Sequence, residues 1–244
     1  MDSINCVRAV QQPVNKLGSA FMMDGGTFAR APELGLEPGL GFYVIGRFGT
    51  LGRVHHDVVA SSAAFFSPAA VAGYWDDALE KAEPLAAAAL FLECAQAWGR
   101  THLASIDGLD QLNELVTKVV DAAAPTAASL FAGIRALPRA ADAPALTVQL
   151  SFALRELRMA RHVVAVLAEG LSPLEAILSG GGGEGNAKLF GWEAPFPEPG
   201  AFVARRREAE QHTDELHASD FAVLTDGERA DLAAGFARVF AALS

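Results

Sequence analysis

Residues 146–170, LTVQLSFALRELRMARHVVAVLAEG, constrain this chain more than any other stretch. The run is long for a globular helix and carries apolar residues on every side, the pattern of a helix surrounded by protein rather than one lying on a surface. At 3.6 residues per turn, Ser151, Arg155, Arg158 and His162 nevertheless fall on one narrow stripe, with Glu156 roughly a quarter-turn away. Guanidinium and imidazole groups are costly to bury unless they are paired or face a polar cavity. The stripe is therefore the first candidate for a site.

The rest of the chain reads as helices packed around that run. Of its 244 residues, 51% are hydrophobic and 20% are charged, which describes a folded helical protein with a sizeable core. No stretch alternates cleanly enough for a strand. The expected fold is all-α, a bundle of about ten helices around a long buried central helix, in one domain over residues 1–244.

Several signals place individual helices. Ser3 is a candidate cap for a helix to Leu17, with Pro13 expected to kink or break it. GFYVIGRF, residues 41–48, is ambiguous by period and is assigned as helix from its surroundings. Further helices are expected over 53–62, from Ser67-Pro68 to about 82, over 84–102, over 109–123, and from a Thr126 cap to 137. After the central helix, Ser172-Pro173 opens another, and two charged amphipathic helices over 200–216 and 225–243 close the chain, the last from a Thr225/Glu228 capping box. SGGGGEG, residues 179–185, reads as a mobile loop, since it lacks the Gly-Lys-Ser/Thr and preceding strand of a phosphate loop. A weak internal echo relates residues 1–140 to 145–244, each half carrying an arginine-bearing helix followed by Ser-Pro.

Charge and cysteine usage narrow the function classes. A formal charge of −10 argues against general affinity for nucleic acid or anionic membranes. Arg205–Arg207 invites a DNA-binding reading, but Glu208, Glu210, Asp214 and Glu215 follow at once, so a solvated mixed-charge helix fits better. Cys6 and Cys94 form no C-x-x-C pattern, and Cys94 sits in an apolar run as a reduced, buried thiol. With no signal-peptide pattern and no bilayer-length apolar run, the expected location is cytoplasmic. The apolar composition suits a homo- or heterodimer.

Metal and cofactor motifs are missing from the sequence. His55-His56-Asp57 are adjacent, so on a helix they point apart, and His212 and His217 lie on a helix read as solvated. There is no H-E-x-x-H, no Cys/His quartet, no dinucleotide-binding unit and no G-x-S-x-G elbow. No metal and no cofactor is expected. Trp98, Arg100 and His102 at a helix C-terminus are explained by the helix dipole, and Phe65, Phe66 and Trp75 are read as core.

The segments FMMDGGTFARAPELGL, GFYVIGRFGTLGRVHHDVV, FFSPAAVAGYWDDA, ALRELRMARHVVAVLAEGLSPLEAIL and LFGWEAPFPEP occur in this order over nearly the whole chain. Together they resemble an actinobacterial family of all-helical proteins of uncharacterised function, labelled helix-turn-helix-like. The resemblance implies an all-α fold, an actinobacterial source and a place near specialised metabolism, with no established activity. His55-His56 depart from a more acidic or small-residue pattern there.

Two constellations remain for chemistry. Arg155 and Arg158, with Ser151, are placed to hold a carboxylate, phosphate or sulfate, beside His162 or Glu156 as the proton-handling group. Arg47 and Tyr43, in the glycine-flanked GFYVIGRFG, offer a wall for an organic substrate bearing an anionic group. The expected function is a cofactor-free enzyme acting on such a substrate, by ring closure through intramolecular displacement or by elimination. The competing expectation is a non-catalytic ligand- or partner-binding module, including a helix-turn-helix-derived regulator.

Overall fold

In the computed structural model, which describes residues 1–243, every regular element is helical, and the chain is an all-α bundle. The elements are α1 (Ser3–Ser19), α2 (Gly25–Phe28), α3 (Leu40–Phe48), α4 (His56–Ala63), α5 (Pro68–Leu79), α6 (Pro84–His102) and α7 (Leu109–Ala122). They continue with α8 (Ser129–Arg135), α9 (Ala143–Ala168), α10 (Pro173–Leu178), α11 (Gly183–Leu189), α12 (Val203–Ala218) and α13 (Asp226–Ala242). Short 3-10 turns lie between several of them.

Helix α9 is the hub, packed against α1, α6, α7, α8 and α12. Its N-cap is Asp142, whose carboxylate accepts from the Ala145 amide and also pairs with Arg100 in the last turn of α6. Two glycines let neighbouring helices close on it. A Cβ on Gly18 of α1 would stand 2.6 Å from the Ser151 carbonyl oxygen, and one on Gly99 of α6 would stand 2.4 Å from that of Pro144. The first half of α9, with Val148, Leu150, Phe152, Leu154 and Leu157, is buried in the core. The second half differs from the expectation of a wholly surrounded helix, because Val164 and Leu167 are exposed.

Several boundaries depart from the sequence signals for local reasons. Asp2, not Ser3, caps α1, its side chain accepting from the Asn5 amide. Pro13 does not break the helix, since α1 runs unbroken to Ser19. Pro13 is buried there, and the packing of α1 on α9, α12 and α13 outweighs the lost backbone hydrogen bond. Helix α4 starts only at His56, with His55 as its N-cap, and α8 starts at Ser129 with no cap from Thr126. The second part of the glycine tract is helical, as the start of α11. The capping boxes at Ser172/Glu175 and Thr225/Glu228 are both formed. Among the described residues, no helix is long and apolar enough to cross a membrane.

Candidate functional site

The stripe on α9 opens onto a cleft one turn past the Gly18 crossing. Arg155, Arg158 and His162 line it from α9, Arg8 and Asn15 from α1, and Arg206 and Glu210 from α12. Its volume of about 400 Å³ is that of a small-molecule site. Four guanidiniums meet a single lining carboxylate, on a protein whose net charge is −10. Ser151 lies outside the cleft: α1 crosses above it, and its hydroxyl donates to the Thr147 carbonyl at 2.7 Å.

Glu156 joins the two sequence-derived constellations. Arg47 holds it bidentately, from Nε at 3.2 Å and Nη2 at 2.8 Å, while its Nη1 donates to the Tyr43 hydroxyl at 2.6 Å. Arg155 bonds the same carboxylate through Nη1 and reaches Asn15 Oδ1 through Nε at 3.2 Å. Burial alone would raise the Glu156 carboxyl, but Arg47 and Arg155 outweigh it and hold it below the ordinary range. Arg47 and Glu156 are 4% and 3% exposed, so they neutralise each other inside the core. Tyr43 faces a separate apolar pocket of about 180 Å³, formed with Met22, Leu40, Phe66 and Phe190. Arg155 is the wall shared by that pocket and the cleft.

The far side of the cleft is less completely paired. Arg158 Nη2 donates to Glu210 Oε2 at 2.9 Å, and Arg206 Nη1 to Glu210 Oε1 at 2.6 Å. Arg158 Nε is buried with no hydrogen-bond partner. Asp214 Oδ1 is also unbonded, 3.9 Å from Arg158 Nη2, while its Oδ2 takes a 3.0 Å bond from Arg8 Nε. A buried donor left unmade costs about 1–3 kcal/mol, so Arg158 is the least completely satisfied of the residues that line the cleft.

The state of His162 follows from its neighbour. The Thr213 hydroxyl donates to the Ala209 carbonyl at 2.6 Å, so it accepts from His162 Nδ1, 2.8 Å away. The proton of the neutral ring is thereby placed on Nδ1, and Nε2 carries the lone pair on a residue that lines the cleft. Burial, reinforced by Arg206 and Arg158 against the opposing pull of Glu210, pushes the imidazole down to about 4. The ring is neutral at pH 7.

Some of the site was not visible from the stripe. Arg8 and Asn15 come from α1, and Arg206, Glu210, Thr213 and Asp214 from α12, which had been read as a solvated helix. The readable signal is the spacing Arg206, Glu210, Asp214, His217, one face of a helix at steps of three and four. His217 on that face is buried against Asp220 rather than solvated. Phe65, read as core, is half-buried with its ring 5.7 Å from that of His162. Trp75 is core, its Nε1 donating to the Val54 carbonyl at 2.9 Å, and Trp98 stacks on His102 at 4.3 Å. Both cysteines are free and buried.

His55, His56 and Asp57 do converge, contrary to the expectation of divergent side chains, with candidate ligand atoms all within 4.8 Å of one another. His55 is an extended N-cap rather than a helical residue, which turns its ring back over the helix start. His55 and Asp57 are exposed, and His56 Nδ1 is engaged by Asp76 at 2.8 Å.

Comparison with known proteins gives a family but no characterised relative. No curated protein and no solved structure matches the chain. The matched part spans α1 to α11 and stops before α12, so one wall of the cleft lies outside it. With residues 7–195 matching the model described as the helix-turn-helix family, well over half of its length, the chain belongs to that family.

Proposed function

We propose that this protein is a ligand-binding module of its family, and that the cleft between α1, α9 and α12 holds a small organic anion. The observation that carries this reading is the cleft itself, lined by four arginines against one carboxylate, with Arg158 among them retaining an unbonded Nε. A carboxylate, phosphate or sulfonate supplies the acceptors that this guanidinium lacks. Asp214 and Glu156 stand behind Arg8 and Arg155, so the positive excess is modest and suits a singly or doubly charged ligand. An actinobacterial setting in specialised metabolism, as the sequence resemblance implies, would supply organic acids of this kind.

Catalysis in the same cleft is a second reading, favoured by one observation: a neutral His162 with its Nε2 lone pair available. In a ring closure or elimination, His162 would take the proton while Arg158 and Arg206 stabilise a departing anion. Glu156 fits an electrostatic role rather than proton transfer, because two arginines keep it ionised. DNA recognition draws little support from Arg205–Arg207, since Arg205 donates to the Gly170 carbonyl at 3.1 Å and Arg206 to that of Ala176 at 3.2 Å.

Calorimetric titration with inorganic phosphate at fixed ionic strength tests the binding reading. Saturable one-to-one binding, with no salt-sensitive binding to a short DNA duplex, is expected. The absence of saturable phosphate binding, or duplex binding in its place, would overturn it.

A further inference from the structure

A second cavity adjoins the cleft. About 190 Å³ in volume, it is walled by Phe65, Ile177 and Phe190 and by the backbone of Gly180–Gly182. Met159, His162 and Arg206 line both this chamber and the arginine cleft, so the two spaces meet across those three side chains. The Tyr43 pocket, more apolar than this chamber, shares only Arg155 with the cleft. The seam has one held and one adaptable member. Arg206 is tied to the Ala176 carbonyl and to Glu210, whereas Met159 is unbranched and also borders a third cavity beside Phe131. Along the chamber, a Cβ on Gly181 would meet nothing within 4 Å, whereas one on Gly182 would stand 1.8 Å from Nδ2 of Asn186, which also lines it.

A purely inorganic anion would use only the arginine half of this space. We infer that the ligand is an anion with an apolar body, its acidic group held by Arg158 and Arg206 and its ring or short chain passing Met159 and His162 into the Phe65–Ile177–Phe190 chamber. This rests on the anion-binding reading of the cleft and names the class of molecule that fills it. Amphipathic ligands of this kind match the general design of small-molecule sites, mostly apolar walls with a few fixed polar groups.

The test compares two probes with one head group, methanesulfonate and naphthalene-2-sulfonate, by calorimetry on the full chain. The aromatic sulfonate should bind tighter by about tenfold or more, as burial of its apolar area requires. Phe65→Ala and the milder Ile177→Val should shrink that advantage while leaving methanesulfonate affinity unchanged, which also reports that the variants are folded. Arg158→Gln should weaken both probes. Equal affinity for the two sulfonates overturns this inference and leaves the anion site standing. An advantage that survives Phe65→Ala but disappears in Leu40→Ala places the body in the Tyr43 pocket and also overturns it. If phosphate does not bind saturably, the anion-binding reading falls and this inference with it.

Discussion

Arg158 and Arg161 sit three residues apart on the same helix, and both leave it to meet acids near α12, yet they end differently. Every nitrogen of Arg161 has a partner. Its Nε and Nη2 chelate Asp220 at 3.1 and 2.9 Å, and its Nη1 and Nη2 donate at 2.9 Å to the carbonyls of Thr126 and Ala124. His217 Nδ1 completes the group, 3.0 Å from the same carboxylate. Arg158 has one short bond, to Glu210, and an orphaned Nε beside a cavity. The lesson is that a buried arginine is not itself a sign of a site; one that lines a cavity with donor capacity unspent is the better candidate. Arg161 ties α9 to the loop before α8 and to the turn after α12, whereas Arg158 leaves capacity for a ligand.

The contrast can be broken from the structural side first. Asp220→Ala removes the partner of both Arg161 and His217, and breaking a buried pair in this way costs about 3–5 kcal/mol. Urea unfolding should show that loss, with phosphate affinity of the folded protein unchanged. A small stability change would mean that the Arg161 group is not the anchor described here.

Acid should act next in size, through His162. The unfolded ring takes its proton near 6.5, whereas the native ring waits until about 4. Between those values the unfolded chain binds more protons, so this contribution is intact above pH 6.5 and is lost as pH falls toward 4, by up to about 3 kcal/mol. Protein carrying His162→Gln should lose less stability over that window than the wild type. Parallel stability curves would refute the buried neutral ring. A bound anion favours the charged ring, so affinity for methanesulfonate, whose charge is constant over this range, should rise as pH is lowered through it.

Arg8→Ala should have the smallest effect. Its side chain is 54% exposed and pairs with Asp214 at the cleft rim. Its loss leaves the buried Asp214 carboxylate without the hydrogen bond to its Oδ2, so stability should fall by about 1–3 kcal/mol, while phosphate binding weakens only a few-fold. A loss as large as that from Arg158 would move the centre of the site onto α1.

Much of this was readable from periodicity. The buried first half of α9, the shared face of Arg155, Arg158 and His162 and the Thr225/Glu228 cap follow from spacing and residue type, whereas the helix over GFYVIGRF follows only from its helical surroundings. What spacing does not carry is the register of one helix against another. The approach of Gly18 to Ser151 sets where α1 lies, and so removes Ser151 from the cleft while bringing Arg8 and Asn15 to it. Alternating charges on α12 read as solvated, yet the same charges are what α9 pairs with once Thr213 and His217 are buried. Glu156 was legible as a neighbour of the stripe, but its capture by Arg47 depends on a contact 109 residues away in sequence.

The most direct test sets two substitutions side by side: phosphate affinity by calorimetry and stability by urea unfolding, for Arg158→Gln and Arg161→Gln. Arg158→Gln should lower affinity by about tenfold or more, the worth of one charge-assisted contact, and leave stability within about 1 kcal/mol of wild type. Arg161→Gln should do the reverse, unfolding at markedly lower urea with affinity intact. Equal affinity losses, or a stability loss concentrated at Arg158, would contradict the division of this helix into an anchoring arginine and a ligand-receiving one.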